Sequence, residues 1–415
     1  MAKSGFLAEA KARGFLFQCT DEEALDGACA AGSIAGYAGF DLTAESLHVG
    51  HMIPIMLLRL FQKHGHRPVA LMGGGTTRIG DPSFREEARQ LLSDEQIAKN
   101  LVGIRKNIEA FITFGNGPND AVLVNNADWL DRLSYIELLR EVGVHFSINR
   151  MLSFDSVRSR LEREQGLTFL EFNYSILQSY DFRELSRQYG VVLQMGGSDQ
   201  WGNIVTGTDL GRRLGTAQLF ALTSPLITTA SGAKMGKTAA GAVWLNADLV
   251  SPYEYWQYWR NTEDADVERF LKLFTVLPLD DIARLASLKD AEINEAKKVL
   301  ATEATALVHG RAAADEAAGT ARTTFEERTV SEGLPTARVP RKRLEEGITI
   351  ADASILAGFC NSKGEVRRAI ANSSLAVNDS RITNFDFTIG EKDLTAEGMI
   401  KLSFGRKRHV LLKPV

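Results

Sequence analysis

The sequence predicts an α/β protein: a doubly wound, Rossmann-like parallel sheet, followed by an all-helical domain and a small C-terminal α+β domain. Continuously apolar runs at residues 68–72 and 191–195 alternate with helical segments, which is the pattern of a parallel sheet covered on both faces. Residues 264–319 are rich in Ala, Leu, Glu and Lys at helical spacing, without a strand pattern. After residue 348, short helical and strand patterns return.

The first elements follow in chain order. Residues 1–32 are predicted to be helical. The apolar run at residues 33–36 predicts a strand, and the apolar segment at 52–61 predicts the helix after it. Gly65 ends this helix, because glycine readily adopts the left-handed conformation of a helix C-terminus. The run at 68–72 then predicts the second strand.

Later in this region, residues 121–124 and 191–195 predict further strands. Three pairs of polar residues have the spacing of an N-terminal capping box, and each pair predicts a helix. The pairs and the predicted helix ends are Ser93 and Gln96 with Gly115, Ser134 and Glu137 with Gly143, and Thr168 and Glu171 with Tyr189.

Composition divides the chain into a domain at residues 1–248, a helical domain at 249–330, an exposed linker at 331–347 and a small domain at 348–415. The linker is predicted from its glycine and prolines, which mark loops, and from the cluster Arg341-Lys-Arg343.

The 415 residues carry a net charge of −4, but residues 338–415 hold 14 Lys and Arg against 9 Asp and Glu. This segment is therefore +5 and the rest is −9, which predicts a polyanionic partner for the tail or, alternatively, a basic surface without a partner. Three scattered cysteines predict a reducing, cytoplasmic location. No apolar run reaches the roughly 20 residues that span a bilayer, so no membrane association is predicted.

Two histidines flank a glycine at the predicted start of the 52–61 helix: His48, Gly50 and His51. A helix N-terminus attracts phosphate, and glycine lets a flat ligand approach the backbone. A capped helix start without a ligand is the alternative interpretation. No metal site is predicted, because no cysteine or acidic partner lies at a suitable spacing.

Two lysines, Lys234 and Lys237, lie three residues apart in a glycine-containing loop. By itself this spacing is typical of a solvated surface pair. A P-loop is excluded, because the pattern needs glycine five residues before Gly236 and position 231 is Ser231.

These two motifs together resemble the signatures of class I aminoacyl-tRNA synthetases, here His48-Val-Gly-His51 and Lys234-Met-Gly-Lys-Thr238. The resemblance is closest to the bacterial tyrosyl-tRNA synthetase family and spans nearly the whole chain in the same order. Four further segments carry it: Tyr37-Ala-Gly-Phe-Asp-Leu-Thr43, Gly80-Asp-Pro-Ser83, Tyr174-Ser-Ile-Leu-Gln178-Ser-Tyr-Asp181 and Gln194-Met-Gly-Gly-Ser-Asp-Gln-Trp-Gly-Asn203.

The family resemblance implies a tyrosine pocket. Tyr174, Gln178 and Asp181 share one face of a helix, which without the other motifs is equally the solvent face of an amphipathic helix. By resemblance, Asp181 and Tyr37 receive the substrate hydroxyl. The remaining residues implied for tyrosine are Tyr174, Gln178 and Asp81 at the ammonium group, Gln200 at the carboxylate, and Thr76 and Asn126 in support.

The resemblance also implies a nucleotide site and a group of cations. Thr43 and His48 face the terminal phosphates and His51 faces the nucleotide. Asp199 binds the ribose, and Gly39, Asp41, Gly50 and Gly197 border the site. The groups implied for the departing pyrophosphate are Lys234, Lys237, Thr238, Arg85 and Arg89.

The implied reaction is that of an ATP-dependent ligase, which forms tyrosyl-adenylate and transfers tyrosine to the 3′ end of tRNA(Tyr). The resemblance implies magnesium with ATP, no tightly bound cofactor, no DNA partner and a homodimer. It also makes 249–330 a helical domain on the anticodon side, and 348–415 an RNA-binding domain with the basic segment Lys363-Gly-Glu-Val-Arg-Arg368. The rivals are a tryptophan-specific synthetase, a nucleotidyltransferase with the same histidine motif, and an RNA-binding regulator derived from a synthetase.

Three positions depart from the family pattern. Leu42 replaces the usual proline, Ala38 stands where relatives carry a polar or thiol group, and Gly236 replaces the usual serine of the lysine motif. None of these changes removes a charge that the reaction needs.

Overall fold

The computed structural model describes residues 2–83, 92–163, 166–232, 235–238, 241–325, 334–395, 398–405 and 408–415. The contacts divide the chain into two compact units. The first comprises Met1–Val250 and Trp259–His309, and the second comprises Ser251–Tyr258 and Gly310–Val415.

A six-stranded sheet forms the centre of the first unit, in the order β1-β6-β5-β2-β3-β4. Neighbouring strands are parallel except for β1, which runs antiparallel to β6. The chain winds outward from β2 in both directions, so the predicted doubly wound fold is confirmed. The strands are β1 (Gln18–Cys19), β2 (Ala35–Asp41), β3 (Arg67–Gly73), β4 (Val122–Asn125), β5 (Val191–Gly197) and β6 (Phe220–Ser224).

The strands at the middle of the sheet are buried on both faces, as their apolar runs predicted. All but the first residue of β3 are buried, and helices cover both sides, since burial in a parallel sheet requires them. The helices up to β6 are α1 (Gly5–Arg13), α2 (Glu22–Ala31), α3 (Met52–Lys63), α4 (Asp94–Glu109), α5 (Ala127–Leu130), α6 (Tyr135–Glu137), α7 (Ile148–Leu152), α8 (Asp155–Glu162), α9 (Phe169–Phe172), α10 (Tyr174–Tyr189) and α11 (Trp201–Arg213).

Strand β2 is longer than predicted and displaced towards the C-terminus. Its predicted extent was 33–36, whereas it continues to Asp41 because residues Tyr37 to Asp41 pair with β3. The motif that begins at Tyr37 therefore lies on the strand rather than after it. The short strand β1 also interrupts the region 1–32, which was predicted to be helical throughout.

Of the three predicted capping boxes, only the one at Thr168 has both of its hydrogen bonds, and its helix breaks at Asn173 before α10 begins. Ser93 caps α4 through the Gln96 N–H, but this helix ends at Glu109, before Gly115. Ser134 makes no capping bond. A π-helical stretch, Leu138–Val142, follows α6, so the helical segment does reach the predicted end at Gly143, although its α-helical part is only Tyr135–Glu137.

A two-stranded hairpin of β7 (Lys237–Thr238) and β8 (Gly241–Ala242) follows β6. Helices then dominate, as predicted for this region, and the boundary between the two units falls within the first of them. They are α12 (Pro252–Arg260), α13 (Val267–Phe274), α14 (Leu279–Ala286), α15 (Ile293–His309) and α16 (Arg311–Phe325).

The end of the second unit is a small α+β domain with its own apolar core. Its five-stranded sheet has the order β12-β11-β14-β15-β9, and β10 pairs with β13. The strands are β9 (Thr336–Val339), β10 (Ile348–Thr349), β11 (Leu375–Val377), β12 (Ser380–Arg381), β13 (Thr388–Ile389), β14 (Ile400–Phe404) and β15 (Arg408–Pro414). The helices are α17 (Arg341–Glu345), α18 (Ile350–Leu356) and α19 (Lys363–Ala371).

The segment predicted as an exposed linker, 331–347, contributes to this domain where the structure describes it. Strand β9 pairs in parallel with β15, and Leu344 of α17 is buried in the core. Composition does not reveal this pairing, because β15 lies some 70 residues later in the chain. Among the described residues, no helix is long and apolar enough to cross a membrane.

Candidate active site

The candidate site lies at the carboxyl ends of β2 and β5, where the winding of the sheet reverses. Ligands of open α/β sheets bind at such a reversal, because the loops on either side diverge and leave a crevice. Asp41 ends β2, Asn126 follows β4, and Gly197 ends β5 with Gln200 just beyond it. The sheet therefore brings residues from widely separated motifs to one edge.

A buried carboxylate lies beside this edge of the sheet, in contact with Asn126. Asp181 of α10 is 2% exposed, and its two oxygens accept hydrogen bonds from Asn126 Nδ2 at 2.9 Å and Trp129 Nε1 at 2.8 Å. Burial raises the pKa of Asp181 to about 7, against the lowering effect of these two donors. A carboxyl group in this state accepts a further hydrogen bond most readily in its ionised form.

Tyr37 is the second group of this polar end. Its ring packs edge-on against Phe182, with centroids 5.3 Å apart. Its hydroxyl is buried and has no hydrogen-bond partner in the described part of the chain. Burial raises the pKa of Tyr37 well above its ordinary value, and the charge of Asp181 adds to the effect. A buried, unpaired hydroxyl is costly, so this atom is suited to a ligand.

A chain of hydrogen bonds leads from Asp181 to Asp41, at the end of β2. Asn126 Nδ2 also donates to Thr76 Oγ1 at 3.0 Å, and Thr76 Oγ1 donates to Asp41 Oδ1 at 2.9 Å. The Tyr174 hydroxyl donates to Asp41 Oδ2 at 3.1 Å. The structure thus joins Asp41, which the resemblance implied for the nucleotide, to the residues implied for tyrosine.

A second polar group lies beyond β5. Gln200 Nε2 donates to Asp81 Oδ2 at 2.8 Å and, at 3.3 Å, to Asp199 Oδ2. Burial raises the pKa of Asp199, partly offset by the bond from Gln200, and the charge of Asp81 adds to the rise. Gln178 Oε1 is buried with no hydrogen-bond partner among the described residues. The two carboxylates joined by the Gln200 amide are suited to an ammonium group and hydroxyls.

The histidine motif forms a 3-10 turn, Val49–His51, at the start of α3. The Gly50 N–H donates to His48 Nδ1 at 3.0 Å, the His48 N–H donates to His51 Nδ1 at 3.2 Å, and the ring centroids lie 4.0 Å apart. The histidines therefore do cap the helix start. Thr43 and Gly50 are exposed beside them, as is Gly39 on β2, so the capped turn is accessible to a ligand.

The lysine motif lies directly against this turn. A Cβ atom on Gly236 would come within 2.9 Å of both Gly50 N and His48 Nδ1, and Gly236 has a φ of +85°. Backbone hydrogen bonds continue the contact, from Val243 N to Gly236 O at 2.9 Å and from Val49 N to Val243 O at 3.0 Å. Residues 186 positions apart in the sequence therefore form one surface, and glycine at position 236 has a steric reason.

Several predicted residues are not described at this site. Lys234, Arg85 and Arg89 lie outside the described residues. The backbone of β7 is described, but nothing is stated of the side chains of Lys237 and Thr238. Leu42, which replaces the usual proline, is buried, and its N–H donates to Thr77 Oγ1 at 2.7 Å. Proline lacks this donor, so the substitution exchanges a covalent constraint for a hydrogen bond. No structural reason is apparent for Ala38.

Sequence reasoning assigned no role to two residues of the site, one beside Asp181 and one beside Tyr37 on the neighbouring strand. Trp129 donates to Asp181, and its position three residues after Asn126, just beyond a strand end, was the available signal. Gln194 of β5 is 3% exposed, has a buried Oε1 without a hydrogen-bond partner among the described residues, and pairs in register with Tyr37. Among the described residues, no group of three or more His, Cys, Asp or Glu side chains could hold a metal ion.

Comparisons with known proteins agree with this geometry. The family model of class I tRNA synthetases (W and Y) matches residues 30–326, and that of the tyrosine–tRNA ligase SYY-like C-terminal domain matches residues 327–412. A tyrosine–tRNA ligase of Xanthobacter autotrophicus is 61% identical over 100% of this chain and 99% of its own length.

Solved structures of tRNA synthetases are also similar to this chain. A C-terminally truncated mitochondrial tyrosyl-tRNA synthetase of Coccidioides posadasii is 33% identical, with a TM-score of 0.67 over 76% of this chain and 91% of that one. A tryptophanyl-tRNA synthetase of Encephalitozoon cuniculi, bound to tryptophan, is 15% identical, with a TM-score of 0.55 over 75% of this chain and 87% of that one, and shares the fold alone.

The doubly wound sheet, the histidine turn and the lysine motif packed against it define the catalytic domain of a class I tRNA synthetase. The match extends over the C-terminal domain as well. The chain belongs to the tyrosine–tRNA ligase family.

Proposed function

We propose that the chain activates tyrosine with ATP, releasing pyrophosphate, and then transfers tyrosine from tyrosyl-adenylate to the 3′ end of tRNA(Tyr). The observation that carries this proposal is the buried Tyr37 hydroxyl, which has no partner among the described residues and lies close enough to the Asp181 carboxylate for its charge to raise the pKa of Tyr37. A phenol donates one hydrogen bond and accepts another. Its O–H donates to Asp181, and its oxygen accepts from the Tyr37 hydroxyl.

The substrate backbone groups follow from this orientation. In the proposal, the ammonium group lies among Asp81, Tyr174 and Gln178, and Gln200 orients the carboxylate. The described hydrogen bonds support it, because Gln200 already contacts Asp81. Thr76 and Asn126 support the pocket by linking Asp41 to Asp181.

ATP is proposed to lie over the turn Val49–His51. Thr43 and His48 face the terminal phosphates and His51 the nucleotide, with the ribose at Asp199 and Gly39, Gly50 and Gly197 bordering the site. The exposed backbone of Gly39 and Gly50 supports this placement. Asp41, whose described bonds lie on the tyrosine side, is proposed to contact both substrates.

The proposed first step, formation of tyrosyl-adenylate, needs no nucleophile from the enzyme. The tyrosine carboxylate attacks the α-phosphorus in line, and negative charge accumulates on the departing pyrophosphate. Cations placed there stabilise the transition state more than the ground state. The residues proposed for this role are Lys234, Lys237, Thr238, Arg85 and Arg89. Magnesium is proposed to arrive with ATP, held mainly by its phosphates.

The C-terminal part is proposed to bind tRNA, with residues 249–330 as the helical anticodon-side domain and 348–415 as the RNA-binding domain. Helix α19 carries Lys363, Arg367 and Arg368, and the Arg367 guanidinium lies 4.5 Å from the centre of the Phe385 ring. Cations beside a partly buried ring are suited to a nucleic acid backbone and its bases. The cytoplasmic location remains a prediction from cysteine usage.

Amino-acid-dependent exchange of labelled pyrophosphate into ATP tests the proposed function. We expect tyrosine to stimulate exchange, and tryptophan and phenylalanine to fail, because neither supplies a phenol to the groups at Asp181 and Tyr37. Addition of tRNA should then yield a tyrosine ester. Stimulation by tryptophan alone would favour the tryptophan-specific rival. Absence of stimulation by any of the three would favour the regulator, and amino-acid-independent nucleotide transfer would favour the nucleotidyltransferase.

We also propose that two copies form a homodimer through the exposed apolar side chains of the described residues within 135–163 and 166–170. Of 17 large hydrophobic residues that are exposed among those described, nine lie in this segment. Val144 and Phe169 are each 69% exposed, and Ile148 is 65% exposed. Such a concentration of exposed apolar side chains is typical of an interface.

Replacing Ile148 with aspartate is expected to shift the protein from dimer to monomer, because a charge would be buried at the interface. Light scattering across a concentration series measures the shift. Val102→Asp is the matched control, since Val102 is 68% exposed on α4, outside this segment. A wild-type protein that is monomeric at every concentration would contradict the dimer, and an equal response to both variants would place the interface elsewhere.

A further inference from the structure

Three side chains form a cluster behind the histidine turn: Ser46, Asn107 of α4 and Asn246, called here the amide cluster. Ser46 is 2% and Asn107 4% exposed, and Asn246 is half-buried. Asn107 Nδ2 donates to Asn246 Oδ1 at 2.7 Å, and the Ser46 hydroxyl lies 3.2 Å from Asn107 Oδ1. The three residues come from distant parts of the chain, and the roles assigned so far to the site do not use them.

The amide cluster connects the two sides of the nucleotide site. On the histidine side, Asn107 Oδ1 accepts the Leu47 N–H at 2.8 Å, immediately before His48. On the lysine side, Asn246 donates through its backbone N–H to Ser46 Oγ at 3.1 Å and through Nδ2 to the Glu45 carbonyl at 2.9 Å. Asn246 is therefore held by two hydrogen bonds to the segment that leads into the histidines and by a third to Asn107 of α4.

From Asn246 a continuous strip of backbone contacts leads to the lysine motif. Leu245 N donates to Leu47 O at 2.8 Å, and His48 forms an isolated antiparallel bridge with Trp244. Val49 N donates to Val243 O, and Val243 N to Gly236 O. The strip 243–246 thus determines where Gly236 lies relative to Gly50, and the amide cluster fixes its end.

We propose that Ser46, Asn107 and Asn246 are positioning residues of the activation step. They hold the strip 243–246 against the histidine turn, and so set the backbone of Gly236 and Lys237 at the place where the pyrophosphate of ATP departs. This inference rests on the proposed function. The amide cluster contacts neither substrate in the proposed arrangement, so its effect passes through the backbone between Val243 and Gly236.

This role differs measurably from a purely stabilising one. If the cluster only stabilises the fold, removing one of its side chains lowers the unfolding temperature and leaves the kinetic constants of the folded enzyme unchanged. If the cluster positions the strip, the same removal slows the step at the phosphates and leaves tyrosine binding unchanged, because among the described residues the hydrogen bonds to Asp181 come from Asn126 and Trp129 and from no member of the cluster. The two roles are therefore distinguished by comparing the change in the rate of the activation step with the change in tyrosine affinity.

The test uses Asn246→Ala in the full-length protein. Removing a hydrogen-bonded group whose partners stay buried lowers the rate of a step that depends on it by roughly tenfold. We expect this loss in the kcat of tyrosine-dependent pyrophosphate exchange, with an unchanged Kd for tyrosine by calorimetry. Hydrogen exchange at the Val243 and Leu245 amides should become faster. Ser46→Ala, which removes a single hydroxyl, should give the same pattern at smaller amplitude.

Thr275→Val is the matched control. The Thr275 side chain is also buried, and it donates to the Leu271 carbonyl of its own helix, away from the amide cluster. We expect it to lower the unfolding temperature without changing the exchange kinetics.

The proposal is overturned if Asn246→Ala weakens tyrosine binding by the same factor as catalysis, or if its kinetics match those of the control. Failure of the wild-type protein to show tyrosine-dependent exchange would instead refute the proposed function. In that case, the hydrogen exchange rates still decide whether the amide cluster holds the strip 243–246. Unchanged rates at the Val243 and Leu245 backbone N–H groups in Asn246→Ala would show that it does not.

Discussion

Asp181→Ala is expected to remove discrimination between tyrosine and phenylalanine, with a loss of roughly a hundredfold in kcat/KM for tyrosine. The carboxylate is the acceptor for the substrate hydroxyl in the proposed arrangement, and without it the buried Asn126 and Trp129 donors also lose their partner. Pyrophosphate exchange with each amino acid measures the ratio of kcat/KM for tyrosine to kcat/KM for phenylalanine. Unchanged selectivity would place the phenol elsewhere.

Glu184→Gln is the matched control for this variant. Glu184 lies on the same helix and is 3% exposed, but its partners include Arg183 and Arg187, whose side chains reach solvent. Breaking these ion pairs should cost stability and leave the tyrosine-to-phenylalanine ratio unchanged. A similar loss of selectivity in both variants would show that general destabilisation, rather than the phenol contact, explains the result.

The pH dependence of tyrosine binding gives a second measurement of the same group. Burial raises the pKa of Asp181 to about 7, and only the ionised form accepts the phenol proton without losing its other bonds. Tyrosine affinity should therefore be constant above about pH 8 and fall roughly tenfold per unit below pH 7. Calorimetry between pH 5.5 and about 8.5 measures it. Affinity that stays constant as the pH falls would contradict this role of the carboxylate.

Gly236→Ala is expected to lower the rate of tyrosine activation by roughly ten- to a hundredfold, because the lysine motif could no longer pack on the histidine turn. The added Cβ would lie 2.9 Å from Gly50 N and from His48 Nδ1. One of these atoms is backbone at the start of α3, so the loop must move instead. Rapid-quench measurement of adenylate formation gives the rate, and calorimetry with tyrosine checks that the other substrate site is intact.

Gly232→Ala separates this contact from the cost of the backbone conformation. Gly232 precedes Gly236 in the sequence and has a φ of +86°, but an added Cβ there would meet no atom of the described residues within 4 Å. Both variants carry the penalty of a left-handed alanine, about 1 to 2 kcal/mol. Only Gly236→Ala adds the contact with Gly50. Equal activity losses in the two variants would show that the packing on the turn is not required.

The sequence placed most of the catalytic domain correctly, for physical reasons that can be named. Buried parallel strands need continuous apolar runs, and β3 and β5 lie where such runs predicted them. The polar stripe of Tyr174, Gln178 and Asp181 does lie on one helix, α10. Element ends were less accurate, because the length of β2 depends on its pairing with β3. The same is true of β9, which pairs with the last strand of the chain.

By itself, the sequence determined the family, the two signature motifs and the residue types that the reaction requires, because these are fixed by short segments. Only the tertiary structure decided which atoms meet: Trp129 against Asp181, Asp41 between Tyr174 and Thr76, and Gly236 against Gly50. Each of these contacts joins separate segments, and sheet order and loop packing, which no local pattern encodes, bring them together. The same packing left the Tyr37 hydroxyl buried and without a partner among the described residues, the feature from which tyrosine recognition is inferred.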